Sequence, residues 1–252
     1  MNICVQNQLS HRSIRKWKDK EIPNDVLENL FDVINRTASS KGMQHCSVIR
    51  VKDRALRKRI REVSTQKYVE EAPELFIFLV DCYRNSRLIE EEGHFFESAS
   101  DMNRFFQGFT DSALAAQNFT NAAESLGLGC VFFGSILNDT EKMIEILELP
   151  RLTFPVLGVG LGYPDQDPTL KPRINKKHKI FMDKYKVFDN YNDLLSEYNE
   201  EIKRYYDLRE SDRPMESFNK QIIKILSNPS KKRSEILKVI EKQGFNIMEG
   251  IK

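Results

Sequence analysis

Hydrophobic positions change their period several times along the chain, and each change marks an element. After Pro23, the residues Val26, Leu27, Leu30, Phe31 and Ile34 recur at the spacing of one helix face, with proline where a helix start tolerates it. That stripe ends in a polar loop, Thr37-Ala38-Ser39-Ser40-Lys41-Gly42. His45 to Val51 alternates as a strand does, residues 53–64 read as a basic, exposed helix, and Leu75 to Val80 is a continuous apolar run of buried-strand length. A long helix is predicted from Met102 to Leu126, with Phe105, Phe109, Ala113, Ala116, Phe119, Ala123 and Leu126 on its apolar side and Gly127 as its C-terminal cap. Cys130 to Phe133 reads as a short strand. Asn138 with Glu141 reads as a helix N-cap and its reciprocal partner, opening a helix that stops at Pro150. Val156 to Leu161 is the last clear strand.

Past Pro172 the chain turns basic and extended. Tyr191, Leu194, Leu195, Tyr198, Ile202 and Tyr205 then form an amphipathic stripe, followed by two short helices near 215–226 and 230–243. This suggests one domain made of a core, residues 1–173, and a C-terminal arm, residues 174–252. No internal repeat is present.

Composition removes several function classes. The chain has 252 residues with 39 basic and 37 acidic side chains, a formal net charge of +2, so overall charge does not make it a polyanion binder. Cys4, Cys46, Cys82 and Cys130 form no CxxC pair, and the four histidines lack metal-ligand spacing; a reducing cytoplasm and no metal are expected. No apolar run approaches the roughly 20 residues of a membrane helix, and the start lacks a secretory leader pattern, so no membrane partner is expected.

Four segments carry candidate chemistry. His11-Arg12-Ser13-Ile14-Arg15 gathers cations and hydrogen-bonding groups suited to a phosphate or an anionic ring edge. Lys171-Pro172-Arg173 places two cations on a stiff turn after the glycine string Gly158 to Gly162, a string that does not match the GxGxxG dinucleotide fingerprint. Gly129 to Ser135 is a short strand ending in Gly-Ser, able to present backbone N–H groups to a planar ring. Arg54, Arg57, Lys58, Arg59 and Arg61 have no interleaved aromatics and read as a solvated helix face rather than a nucleic-acid surface.

In order and spacing, HRSIR at 11–15, TASSKGMQ at 37–44, TQKYV at 65–69, AAESLGLGCVFFGS at 122–135, FPVLGVGLGYP, LKPRI and YYDLRESDR at 205–213 resemble the oxygen-insensitive nitroreductase family, most closely its NADPH-linked nitroreductase and flavin reductase branch. The resemblance covers most of the chain. It implies an α+β fold, a mostly antiparallel central sheet packed by helices, in an intertwined homodimer with a C-terminal helical arm. It implies FMN as cofactor and NADPH as co-substrate. Hydride would pass from NADPH to FMN and then, by a ping-pong mechanism, to nitroaromatics, quinones or free flavin. No acid–base triad is needed for this, and none is found.

By the same resemblance, His11, Ser13, Lys171 and Arg173 would hold the FMN phosphate and ribityl end, with Arg12 in support. Arg15 would face the pyrimidine edge near Gln66, Lys67 and Tyr68. Ser39 and Ser40 would line the ring pocket, partly from the second subunit, and Phe132, Phe133, Gly134 and Ser135 would run along the isoalloxazine. Arg209 and Arg213 would grip the 2'-phosphate of NADPH. Relatives often carry arginine where this chain has Leu137, and an aromatic where it has Gly42. The alternative reading on this scaffold is a non-enzymatic flavin carrier or redox sensor.

Overall fold

The computed structural model describes residues 2–205 and 215–247. The elements in order are α1 (Ile3–Leu9), α2 (Asn24–Asn35), β1 (Cys46–Arg50), α3 (Arg54–Ser64), α4 (Tyr68–Glu71), β2 (Glu74–Asp81), α5 (Tyr83–Glu91), α6 (Met102–Ser125), β3 (Gly129–Phe133), α7 (Thr140–Ile146), β4 (Thr153–Gly162), α8 (Tyr191–Leu194), α9 (Ser196–Arg204), α10 (Phe218–Ser227), α11 (Lys231–Ser234) and α12 (Ile236–Lys242). The strands form one sheet in the order β1-β2-β4-β3, every pairing antiparallel.

Alternation along β2 explains the layers. Phe76 and Phe78 point to one face and pack with Leu27 and Leu30 of α2 and with Ala115, Ala116, Phe119 and Ala123 of α6. Leu75, Ile77 and Leu79 join the opposite core, with Ile60 and Val63 of α3 and Met143 and Ile146 of α7. Helices cover both faces, so β2 is buried at all eight positions. Its unbroken apolar run follows from that covering, because no side is left for polar residues. A register shift between Phe78 and Leu79 against β4 adds a local irregularity at mid-strand.

The long helix forms where the pattern places it, capped by the Asp101 side chain on the Arg104 N–H and ended by Gly127 at φ +78°. Its buried face includes Phe105, Ala116, Phe119 and Ala123, whereas Phe109 and Leu126 are exposed. Two local expectations are corrected. Asp139, not Asn138, caps α7: its carboxylate accepts from the Lys142 N–H, and the helix ends at Ile146 before Pro150 is reached. The α3 face is not wholly solvated either. Arg57 is buried, and its guanidinium donates to the carbonyls of Val51, Ala72 and Pro73.

The chain divides into two compact units, one of residues 1–166 with 230–252 and one of residues 167–229. The boundary read at 173/174 therefore does not coincide with the compact units. The C-terminal stretch belongs with the first unit because Val239, Ile240 and Phe245 are buried in its core, and Leu152 N–H donates to Gln243 O at 2.7 Å. In the second unit α9 and α10 meet through an edge-to-face contact of Tyr198 and Phe218 at 5.2 Å. Among the described residues no helix is long and apolar enough to cross a membrane, and no cluster of His, Cys, Asp or Glu could hold a metal ion.

Candidate functional site

The HRSIR segment is laid along the start of β3. The Ile14 N–H donates to Cys130 O at 2.8 Å, the Trp17 indole donates to Gly129 O at 2.9 Å, and Ile14 is buried. Contact is close because residue 129 has no side chain: a Cβ there would lie 2.6 Å from Ile14 Cγ1. His11 is fixed from the other side, its Nδ1 lying 2.6 Å from a carboxylate oxygen of Glu124 at the end of α6. With Nδ1 committed, Nε2 is the ring nitrogen left for a ligand. Arg12 and Ser13 are half-buried in the same segment.

Arg15 extends toward Tyr68, with its guanidinium carbon 5.9 Å from the ring centroid. Tyr68 in turn stacks on Phe133 at 5.6 Å. The Phe133 ring is fully buried, so that residue can offer a ligand only its backbone; Phe132 is half-buried. At the turn after β3, Ser135 Oγ donates to Gln66 Oε1 at 2.8 Å, leaving both amide hydrogens of Gln66 available. Lys67 beside it is exposed. Thus three separate stretches converge around β3: Arg15, Tyr68 and Phe133 lie in one row of contacts, Gln66 meets Ser135 at the turn after the strand, and His11, Arg12 and Ser13 lie along its start beside Glu124.

Two features of this corner leave it able to hold a flat, polar-edged ligand. Arg15 Nε is buried without a hydrogen-bond partner, a donor left for a ligand acceptor to satisfy. A Cβ built on Gly134 meets nothing within 4 Å, so open space lies over the backbone where a flat ring would run.

The family model described as the nitroreductase family matches residues 9–163, and the model for that family's C-terminal domain matches residues 171–248. The chain belongs to the nitroreductase family. It is accordingly an oxidoreductase. It is 35% identical to an NADPH-dependent oxidoreductase of Staphylococcus saprophyticus, with 97% of this chain and 99% of the relative covered. Among solved structures it is similar to NfrA1 of B. megaterium, with 33% identity, TM-score 0.90 and coverage of 98% of this chain and 100% of that one. It is also similar to an NADPH:FMN oxidoreductase from Vibrio harveyi complexed with NAD+, with 28% identity, TM-score 0.84 and coverage of 97% and 99%.

Of the other expected site residues of this nitroreductase-family chain, two lie apart within the first unit. Ser39 and Ser40 precede β1, at the far edge of the sheet: the Ser39 hydroxyl donates to Asp111 Oδ2 at 2.7 Å and the Ser40 N–H to Asp111 Oδ1 at 2.9 Å. Lys171 and Arg173 belong to the second unit, where Arg173 donates to Lys171 O at 3.1 Å. Arg209 and Arg213 lie outside the described residues.

Sequence reasoning missed Arg233. From α11 it donates to Gly134 O at 3.1 Å and Asn138 Oδ1 at 3.2 Å, while neighbouring Lys232 pairs with Asp139. These two cations hold the turn after β3, whereas Leu137, where relatives often carry arginine, is buried in the core. Nothing local marks Arg233, which bonds across 99 positions of sequence. Asp111 did leave a trace: it is the one charged residue among the buried positions of α6.

Proposed function

We propose that this oxidoreductase binds FMN and uses NADPH to reduce nitroaromatics, quinones or free flavin. The observation that carries the proposal is the buried, unpartnered Arg15 Nε beside Tyr68, whose ring stacks on Phe133 next to the open backbone of Gly134. When bound, FMN supplies the two-electron carrier between NADPH and the acceptor. Arg15, held beside Tyr68, would place a cation near the ring's pyrimidine edge and so stabilise negative charge there. Gln66, oriented by Ser135, offers amide donors, and the backbone from Phe132 to Ser135 borders the ring. His11, held by Glu124, presents Nε2 toward the phosphate end together with Ser13 and Arg12. Lys171 and Arg173 are proposed as further phosphate cations on the strength of the resemblance alone, as Arg209 and Arg213 are for NADPH.

A homodimer is proposed as the working unit. Exposed aromatic surface supports it: Phe95 is 76% exposed, Phe106 61% and Phe96 54%, on neighbouring stretches of the first unit. A reducing cytoplasm suits the four cysteines, which are all free thiols. The test is to purify the chain, add FMN, and assay NADPH oxidation with a nitroaromatic, a quinone and free flavin. Turnover that depends on FMN supports the reading; absence of flavin binding contradicts it.

A further inference from the structure

The loop before β1 is held in an uncommon shape from two sides. Lys41, Gly42 and Gln44 all have positive φ, at 52°, 66° and 53°. Two of these are not glycine, and such backbone persists only where the surroundings over-determine it. Beneath the loop, Asp111 of α6 is 3% exposed and accepts from three donors: the Ser39 hydroxyl, the Ser40 N–H and, at 3.3 Å, the His45 N–H. The Ser39 hydroxyl also accepts from the Gln44 N–H at 2.7 Å. On the other side α5 grips the loop, Asn85 donating to Met43 O at 2.9 Å and Arg84 to Gln44 O. The Ser39 hydroxyl is thereby committed within the loop, whereas the Ser40 side chain has no such commitment.

The sheet register says which flavin corner this loop can serve. Phe133, Gly158, Ile77 and Ile49 lie in one row across the four strands, and Cys46 is three residues beyond Ile49 on β1. Three strand spacings and three residues of rise put Cys46 roughly 17 Å from Phe133. The loop is tied at that same end, where Asp81 N–H donates to His45 O. It cannot line the corner beside Arg15 and Gly134 of its own chain.

We propose that Asp111 is a positioning residue that presets the 39–45 loop to complete the FMN site of a second copy of this chain. This rests on the FMN reading above and adds to it the residue that shapes the donated loop. The carboxylate matters as an acceptor-only group. In Asp111→Asn one oxygen becomes an NH2, and in either amide orientation that NH2 faces a backbone N–H that cannot turn away, of Ser40 at one position and of His45 at the other.

The test uses the full chain. FMN titration of Asp111→Asn should give a dissociation constant raised about tenfold or more, as expected when a buried charge-assisted hydrogen bond is lost, with dimer size and circular dichroism retained. Mixed dimers then separate positioning from mere folding. Arg15→Ala damages the corner of its own chain, and Asp111→Asn damages the loop given to the partner. A dimer of one Asp111→Asn chain and one Arg15→Ala chain therefore regains one tight FMN site, although neither parent homodimer has one. Should Asp111→Asn fold poorly, Asn85→Ala releases the loop from the α5 side and enters the same mixed-dimer test. Wild-type FMN affinity in the folded Asp111→Asn dimer, or no regained site in the mixed dimer, overturns the proposal alone. A wild-type chain that takes up no FMN overturns the FMN reading as well.

Discussion

Gly129 and Ile14 touch so closely that a methyl group on Gly129 would lie 2.6 Å, 2.8 Å and 2.9 Å from three carbons of Ile14. This contact sets the HRSIR segment on β3 and so aims His11 and Arg15. Gly129→Ala should push the segment off the strand, destabilising the protein by about 1–3 kcal/mol, the usual cost of overpacking. Thermal unfolding should show a lower midpoint, and FMN uptake should weaken with it. An unchanged midpoint and unchanged uptake would mean that the segment is not held by this contact.

Arg57 gives a second prediction. Its guanidinium ties the end of β1 to the turn before β2 through three carbonyls. Arg57→Ala leaves these acceptors without their donor, at a cost of about 2–4 kcal/mol. Arg54→Ala, one turn earlier and exposed, should cost under about 0.5 kcal/mol. Urea unfolding midpoints of the two variants check this; equal midpoints would show that Arg57 is part of a solvated face after all.

What was legible in the sequence follows from range. Periodicity located β2 and α6 because the apolar stripes are long and each is set by a covering layer that buries it. The HRSIR, TQKY and VFFGS stretches stand out in the sequence, but their meeting depends on the register of β3 and on one backbone bond from Ile14 to Cys130. Arg57 was read as solvated because the charge run around it is basic and its acceptors are main-chain carbonyls, which no side-chain pattern reveals. The α7 cap moved from Asn138 to Asp139 because both residues can cap and only the backbone turn decides between them. Arg233 was invisible, since its partners lie nearly a hundred residues away.

His45 predicts a pH dependence. It is 2% exposed, and burial holds its imidazole below the usual 6.5, assisted by Arg104 and Arg84 and opposed by Asp111 and Asp81. The native state therefore favours the neutral ring. The stability this contributes is fully present above 6.5, and it is lost as pH falls from there through the lower native value. Urea midpoints at about pH 7.5 and about pH 5.5 should differ more in the wild type than in His45→Gln. Equal differences in the two proteins would remove His45 from the account.

The roles proposed for Arg209 and Arg213 in YYDLRESDR give a prediction about cofactor choice. Two guanidinium groups favour a 2'-phosphate, while Glu210 and Asp212 oppose it. The expected NADPH preference is modest, about ten- to thirtyfold in kcat/KM, and smaller at high salt. Arg209→Ala should lower activity with NADPH and leave that with NADH nearly unchanged. Equal loss with both would assign Arg209 to folding instead.

The most direct measurement is anaerobic. Purified chain loaded with FMN is mixed with NADPH while the visible flavin band is followed, and an acceptor is then added. The account predicts that the band bleaches on mixing, returns when a nitroaromatic or quinone is supplied, and does neither at a comparable rate in Arg15→Ala. A flavin band that stays unbleached under NADPH and NADH alike would contradict it.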